Sequence, residues 1–255
     1  MDTLNSRQSV ELFHLILLDQ IGRKLDKAKW ALKGGCNFRF FFHSPRYSDD
    51  MDLDIQGIPV DQLRDKVNSI LSGKPLKTIL GVRGILVEHV TEHKQTETTQ
   101  RWKFGLAFFG SEFPVPTKIE LSRRGLEEGS VFEPVSPEIV RFYGLPPLMA
   151  NHYSASIAGR QKIGAILSRT ATQARDIFDL NLLLDSGALA TPARMNVAPL
   201  DIDRIKENVL AVDFGQFKSQ VLSYLESDIQ PLYDSEAIWD KMRWRILEAL
   251  GEGRS

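Results

Sequence analysis

The sequence has 255 residues, of which 42% are hydrophobic and 25% are charged, as is usual for a globular protein with a hydrophobic core. A formal net charge of −1 excludes a strong overall positive field, so any contact with a nucleic acid should depend on a local basic surface. The single cysteine, Cys36, excludes an internal disulfide framework and fits a reducing compartment.

The N-terminal segment 12–18 is apolar but is interrupted by His14, with no basic region before it and no cleavage pattern after it. It predicts the buried face of an amphipathic helix over residues 8–29 rather than a signal peptide. Nothing in the sequence approaches the ~20 consecutive apolar residues that a membrane-spanning helix needs. We therefore expect a cytoplasmic protein.

The rest of the N-terminal half predicts a mixture of helices and strands. Lys33-Gly34-Gly35 is expected to break the first helix, and a short helix should follow over 36–42. The segment 51–55 alternates apolar and acidic residues, which predicts a half-buried strand. The later elements are a helix over 60–72, strands over 79–91, 101–109 and 116–121, and a connector rich in glycine and proline over 122–150.

The C-terminal part predicts helices alone, with Gly187 as a helix stop. The fold class is therefore α+β, with a mixed β-sheet core flanked by helices and followed by a C-terminal helical bundle. The predicted domains are residues 1–150 and residues 151–255. The helical patterns cover residues 156–170, 173–185, 201–225 and 235–249.

Two acidic residues of the predicted strand, Asp50 and Asp52, are at positions i and i+2 and should project from the same face. Adjacent carboxylates repel each other, and Mg²⁺ relieves this cost because oxygen atoms are its preferred ligands. Gly34 and Gly35 can offer backbone N–H groups to a triphosphate. This combination suits phosphoryl or nucleotidyl transfer. The alternative without a function is an acidic strand exposed to solvent. Asp54 is on the same predicted face as Asp50 and Asp52, so the metal could also be bound by Asp52 and Asp54.

Four segments stand out in order: KGGCNFR at 33–39 with PRYSDDMDL at 45–53, KIELSRR at 118–124, QKIGAILSR at 161–169 and RDIFDL at 175–180. They resemble the four motifs of the AbiEii/AbiGii toxin family, which belongs to the polymerase-β-like nucleotidyltransferases. The chain departs from the family at Cys36-Asn37, where Thr-Ala is common, and at Asp49, where Glu is frequent. Residues 190–255 carry no matching motif.

The resemblance implies a nucleotidyltransferase-like catalytic domain over residues 1–150 and a helical domain over residues 151–255 that completes the active site. The implied reaction is attack of an acceptor hydroxyl on the α-phosphate of an NTP, with Mg²⁺ as the cofactor and release of pyrophosphate. The implied protein is the toxin of a type IV-like toxin–antitoxin system, with RNA or tRNA as acceptor and a separate antitoxin as partner. A small-molecule acceptor, as in antibiotic-modifying enzymes, and a non-catalytic interaction module are the alternatives.

Candidate roles for individual residues follow from the same resemblance. Asp50 and Asp52 are the expected metal ligands, and Glu120 is expected to orient or deprotonate the acceptor hydroxyl. Whether Asp54 or Glu120 joins the metal site is left open. The expected catalytic residues are Asp50, Asp52, Glu120, Lys162 and Asp176, and the expected nucleotide-binding residues are Gly34, Gly35, Arg46, Ser48, Lys162 and Arg169.

Several of these residues also have a structural interpretation. Arg46 can pair with a nearby acid, and Ser48 can cap a turn instead of binding a phosphate oxygen. Arg169 can contact phosphate or cap a helix end. Arg175 and Asp179 are four residues apart on one predicted helix, so an ion pair between them would hold that helix. The resemblance places Asp176 near the active site, pointing inward.

Overall fold

The computed structural model describes residues 4–188 and 199–251. The chain divides into two compact units, the first formed by Met1–Phe41 with Tyr47–Tyr153 and the second by Phe42–Arg46 with Ser154–Ser255. The division after Tyr153 lies close to the predicted domain boundary at residue 150. The expected contribution of the helical domain to the active site stays a prediction. Within the described residues, no helix is both long and apolar enough to cross a membrane.

The first unit is built on a seven-stranded sheet. Its strands are β1 (Trp30–Lys33), β2 (Asp50–Ile55), β3 (Ile85–Gln95), β4 (Thr99–Phe108), β5 (Val115–Ser122), β6 (Ser130–Pro134) and β7 (Met149–Tyr153). They lie in the order β3-β4-β5-β2-β1-β7-β6. Strand β2 runs parallel to β5 and β1 runs parallel to β7, whereas the other neighbours are antiparallel. The sheet is therefore mixed, as predicted.

The helices of the first unit are α1 (Ser6–Lys24), α2 (Gly34–Phe41), α3 (Val60–Ser72), α4 (Lys74–Val82) and α5 (Pro137–Phe142). Helix α1 begins with a capping box in which the Asn5 side chain accepts from the Gln8 backbone and the Gln8 side chain accepts from the Asn5 backbone. The apolar side chains of α1, α3 and α4 share one hydrophobic core with one face of the sheet. The strand residues of this core include Met51, Leu53, Trp102, Phe104, Ile119 and Leu121.

The period of two along each strand leaves the polar residues on the opposite face of the sheet. This face, called the open face below, carries Asp50 and Asp52 on β2, Glu120 on β5 and Arg101 on β4. Each of these four side chains is only partly buried. The fold therefore presents charged groups from three adjacent strands on one surface.

Three predictions for the first unit were wrong in detail. Residues 79–82 belong to helix α4 rather than to a strand, because Pro75 lies in its first turn and Leu76 and Leu80 form a buried i, i+4 pair. The expected helix over residues 8–29 ends at Lys24, and strand β1 follows it. The expected connector over 122–150 contains strand β6, helix α5 and the start of strand β7. These strands were missed because strand β7 pairs with β1, which is distant in sequence.

The second unit contains the helices α6 (Ala155–Ser168), α7 (Ala174–Asp185), α8 (Pro199–Leu210), α9 (Phe214–Gln220), α10 (Gln230–Tyr233) and α11 (Glu236–Gly251). The single helix predicted over 201–225 is divided, because Asp213 starts a new helix through a capping box with Gln216. Gly187 has a positive φ of 69° and follows α7, as expected for a helix stop. The mixed sheet with flanking helices and the C-terminal helices confirm the predicted α+β class.

Candidate active site

Three carboxylates lie on two adjacent strands of the open face of the sheet. Asp50 and Asp52 are two residues apart on β2, so their side chains leave the strand on the same side. Asp52 is paired in register with Glu120 on the parallel strand β5. The structure therefore places Asp50, Asp52 and Glu120, three of the acidic residues that the sequence singled out, on one face.

The carboxylates are accompanied by basic side chains that sequence reasoning missed. The ammonium of Lys118 donates to Asp50 Oδ2, and the guanidinium Nε of Arg101 donates to Glu120 Oε2 at 2.7 Å. Lys118 is the register partner of Asp50, and Arg101 is the register partner of Glu120. The alternation of Lys118 and Glu120 within the predicted strand was the available signal, since it places both on one face.

Asp54 differs from the other two aspartates of β2 because it is buried, with 6% of its surface exposed. Its Oδ1 accepts from Lys33 Nζ at 2.5 Å, and its Oδ2 accepts from the Tyr153 hydroxyl at 2.9 Å. Both oxygens are thus engaged within the fold. In contrast to Asp54, Asp52 forms no ion pair in the part of the chain that the structure describes.

The electrostatics of the cluster centre on Asp52. Burial raises the pKa of its carboxyl group above the ordinary value, and the negative charges of Asp50 and Glu120 raise it further. The positive charges of Lys33 and Lys118 oppose this rise. Burial and the two neighbouring carboxylates thus disfavour the ionised form of Asp52 more than the two lysines favour it.

The glycine pair lies beside these carboxylates. Gly34 has a φ of 66°, and a Cβ atom at this position would lie 2.9 Å from Asp52 Oδ2. Gly34 and Gly35 open helix α2 rather than breaking a helix, so they contribute to its first turn, where backbone N–H groups lack intrahelical partners. Ser48 donates its hydroxyl to the backbone oxygen of Asp50 at 2.9 Å.

A second cluster of predicted residues lies within the second unit. Lys162 on α6 donates to Asp176 Oδ1 at 3.0 Å and forms an ion pair with Asp179 Oδ2 at 2.5 Å. Arg169 also binds Asp176, and Arg46 binds Asp179 at 3.3 Å. The two aspartates are fully buried on α7, so the three basic side chains neutralise charges that cannot reach water.

The partner of Asp179 corrects one expectation. An ion pair with Arg175, four residues earlier on α7, was expected, but Arg175 is exposed and Asp179 binds Arg46 and Lys162. Burial raises the pKa of Asp179, but the charges and hydrogen bonds of Arg46 and Lys162 outweigh it and hold the pKa below the ordinary value. Arg46 belongs to the second unit through the segment Phe42–Arg46, and its backbone pairs with Leu225.

The predicted site residues therefore form one cluster in each unit. Asp50, Asp52, Glu120, Gly34, Gly35 and Ser48 lie together in the first unit, and Arg46, Lys162, Arg169 and Asp176 lie together in the second. In the first cluster a pair of carboxylates stands next to the first turn of a helix. In the second, a lysine is held in place by two aspartates. A divalent metal and a triphosphate are the ligands that such groups suit.

Comparison with known proteins agrees with this chemistry. The family model described as nucleotidyl transferase AbiEii toxin, type IV TA system, matches residues 16–241. A search of curated proteins found no match. Among solved structures, JHP933 from Helicobacter pylori is similar, with a TM-score of 0.60 and 18% sequence identity over 98% of this chain and 96% of that chain.

A second similar structure is MenT4, the nucleotidyltransferase toxin Rv2826c from Mycobacterium tuberculosis H37Rv. Its TM-score is 0.58, with 17% identity over 98% of this chain and 96% of that chain. At these identities the two structures support the fold, whereas the family model covers most of the chain and carries the assignment. The chain therefore belongs to the nucleotidyl transferase AbiEii toxin family of type IV toxin–antitoxin systems and is a nucleotidyltransferase.

Proposed function

We propose that this nucleotidyltransferase uses Mg²⁺ to transfer a nucleotide from an NTP to a hydroxyl group of an RNA acceptor, such as a tRNA. The single observation that carries the proposal is the pair Asp50 and Asp52 on one face of β2. The pKa of Asp52 is raised by burial and by the neighbouring carboxylates of Asp50 and Glu120. A divalent cation would relieve this repulsion, because it binds both carboxylates and neutralises their charge.

The donor set of the open face fits Mg²⁺. This ion is usually held by one or two carboxylates together with water and substrate phosphates, rather than by a cage of protein ligands. Within residues 4–188 and 199–251, no three His, Cys, Asp or Glu side chains are grouped to hold a metal. Asp50 and Asp52 would therefore hold the ion together with the NTP. Asp54 is a poor candidate, since Lys33 and Tyr153 already occupy its oxygens.

When bound, Mg²⁺ would supply positive charge to the phosphates and orient the reacting oxygens. The remaining steps depend on the side chains and backbone of the chain. The first turn of α2 at Gly34 and Gly35 would donate N–H groups to the triphosphate. Glu120, whose carboxylate Arg101 holds in place, would accept a hydrogen bond from the acceptor hydroxyl and orient it toward the α-phosphate.

The cluster of the second unit would bind phosphate. Asp176 and Asp179 fix the ammonium of Lys162, and an ammonium group is a compact positive charge suited to the β- and γ-phosphates. Arg46 and Arg169 are held by the same two aspartates and would add positive charge beside Lys162. Positive charge at these positions would stabilise the charge that accumulates on the leaving pyrophosphate.

The identity of the acceptor and the partner extends the proposal beyond the family. We propose an RNA acceptor and a separate antitoxin protein that blocks the activity. The family description, which names a toxin of a toxin–antitoxin system, supports the antitoxin. A small-molecule acceptor and a non-catalytic binding role are the two competing functions, and one assay separates all three.

The test is incubation of the purified protein with each α-³²P-labelled NTP, Mg²⁺ and total bacterial RNA, beside an Asp52→Asn variant. Label on RNA with the wild type alone supports the proposal and identifies the nucleotide. Pyrophosphate release that requires a small-molecule extract instead of RNA would replace RNA by a small acceptor. Absence of both transfer and NTP binding would favour a binding role.

A further inference from the structure

The open face of the sheet continues beyond the carboxylates across β4 and β3. In register, Lys103 on β4 lies beside Lys118 on β5, and Lys94 on β3 lies beside Arg101 on β4. Directly paired residues project from the same side of a sheet. The four basic side chains Lys94, Arg101, Lys103 and Lys118 therefore share one surface, which we call the basic strip.

The outer part of the basic strip carries uncompensated positive charge. Lys94 and Lys103 are exposed, and neither forms an ion pair within the described ranges 4–188 and 199–251. Glu92, the acidic residue nearest to Lys94 along β3, is the register partner of the core residue Trp102 and binds Arg64 and Asn68. Glu88, the other acidic residue of β3, lies at a bulge between Val87 and His89.

The inner part of the basic strip is continuous with the candidate active site. Lys118 binds Asp50, and Arg101 binds Glu120. Adjacent strands lie about 4.8 Å apart, so the strip extends roughly 10 Å outward from β5 to β3. Nucleotides of a stacked strand follow each other at about 3.4 Å, so this length accommodates two or three of them.

We infer that the basic strip binds the phosphodiester backbone of the acceptor nucleic acid and leads its reactive end to the carboxylates. This inference rests on the proposed RNA acceptor and adds the surface that selects it. Charge complementarity is the first reason, because Lys94 and Lys103 offer exposed ammonium groups to phosphates. Continuity with Asp50 and Glu120 is the second. His89, whose exposed ring covers Gly105 on the same face, offers a flat surface on which a base can stack.

The test compares charge reversal inside and outside the strip. Lys94→Glu with Lys103→Glu changes the two outer lysines of the strip. Lys74→Glu with Lys77→Glu is the matched control, because these lysines are exposed on α4. The apolar residues of α4 belong to the hydrophobic core, which lies on the side of the sheet opposite the open face. The probe is a short single-stranded RNA with 5′-fluorescein and a free 3′ hydroxyl. Its binding is measured by fluorescence anisotropy at several KCl concentrations, and NTP binding is measured by calorimetry as a check on folding.

The strip variant should bind the RNA at least about tenfold more weakly and label it correspondingly less, with unchanged NTP binding. Loss of two phosphate contacts on a single strand should make the slope of log K against log salt shallower by about 1.4. The control should match the wild type. If charge reversal impairs folding, the neutral variant Lys94→Gln with Lys103→Gln replaces it. It lacks the same two phosphate contacts, so the slope should become shallower by the same amount.

Two failures are distinguishable. A wild type that labels RNA, together with a strip variant that binds and labels RNA equally well, would overturn the basic strip and leave the proposed function intact. The same conclusion would follow if the strip variant lost binding of a partner protein but kept RNA binding. A wild type that binds NTP but neither binds nor labels RNA would overturn the RNA acceptor, and the basic strip with it.

Discussion

The carboxylate of Asp52 occupies the space that a side chain at position 34 would need. A Cβ atom at position 34 would lie 2.9 Å from Asp52 Oδ2, which is closer than real Cβ contacts occur. Gly34 also has a φ of 66°, a conformation that residues with a side chain avoid. The first turn of α2 can therefore reach the carboxylate cluster only because position 34 lacks a side chain.

The substitution Gly34→Ala should accordingly impair catalysis more than folding. The left-handed conformation costs about 1–2 kcal/mol for alanine. The added methyl group would also displace the Asp52 carboxylate, and misplacement by ~1 Å can cost about 10²-fold in rate. Nucleotide transfer should be measured beside the free energy of unfolding in urea.

Gly57→Ala is the matched control for this prediction. Gly57 has nearly the same φ, 65°, but no atom lies within 4 Å of a Cβ built there. Both variants should lose the stability that the left-handed conformation costs, and only Gly34→Ala should also lose transfer. Equal activity of the two variants would show that the close approach of position 34 to Asp52 has no role in the reaction.

Replacing Asp52 should separate stability from activity. Asp52→Asn should lower nucleotide transfer by at least about 10²-fold, the range seen when one electrostatic group of an active site is removed. The same variant should melt at a higher temperature than the wild type at pH 7, because burial and the adjacent carboxylates disfavour the ionised form of Asp52. Thermal unfolding and the transfer assay measure the two effects.

The pH dependence gives the sign of this effect. A carboxyl group whose pKa is higher in the folded than in the unfolded protein lowers stability as the pH rises above the ordinary pKa of that group. For Asp52 this ordinary pKa is 3.8. The difference in melting temperature between Asp52→Asn and the wild type should thus grow as the pH rises from 3.8 toward neutrality. A constant difference across this range would contradict the repulsion on which the metal site is proposed.

Lys118 and a divalent cation should compete for Asp50. The Lys118 ammonium donates to Asp50 Oδ2, and both side chains are about 30% exposed. Partly exposed ion pairs contribute up to ~1 kcal/mol, so Lys118→Met should tighten Mg²⁺ binding in the absence of NTP by up to about fivefold. Calorimetric titration with MgCl₂ measures this, with Lys77→Met on α4 as the control. Weaker Mg²⁺ binding by the variant would place the ion elsewhere.

The acidic half of the candidate site was predictable because its signal is local. Asp50 and Asp52 alternate with apolar residues, and this pattern indicates both the strand and the shared face. The basic half was not predictable, since Lys118 and Asp50 are 68 residues apart in sequence and approach each other only because β2 pairs with β5. The same reason explains the missed strand β1, whose four residues form a strand only between β2 and β7.

The second unit shows a related limit. The spacing of Arg175 and Asp179 is consistent with a local ion pair, and such pairs stabilise a helix by only a few tenths of a kcal/mol. Burial of Asp179 changes the balance, because a carboxylate without access to water needs close positive charge. Arg46 and Lys162, which are distant in sequence from Asp179, supply it. Spacing alone cannot reveal which face of α7 is buried deeply enough to need them.

Removal of Lys162 should therefore destabilise the fold as well as abolish nucleotide transfer. Lys162→Met would leave the buried Asp179 with Arg46 and the buried Asp176 with Arg169. Breaking a buried ion pair from one side costs about 3–5 kcal/mol, which urea denaturation at pH 7 measures. Lys162→Met with Asp179→Asn should recover part of this loss, since the second change removes the unbalanced charge.

Acid conditions should reduce the penalty of Lys162→Met. The pKa of Asp179 is held below its ordinary value of 3.8 by Arg46 and Lys162, so the stability it contributes is present above pH 3.8 and is lost as the pH falls through the lowered pKa. The difference in unfolding free energy between the wild type and Lys162→Met should thus be constant near neutral pH and shrink below about pH 3.8. If Lys162→Met is as stable as the wild type at pH 7, Lys162 does not neutralise the charge of Asp179.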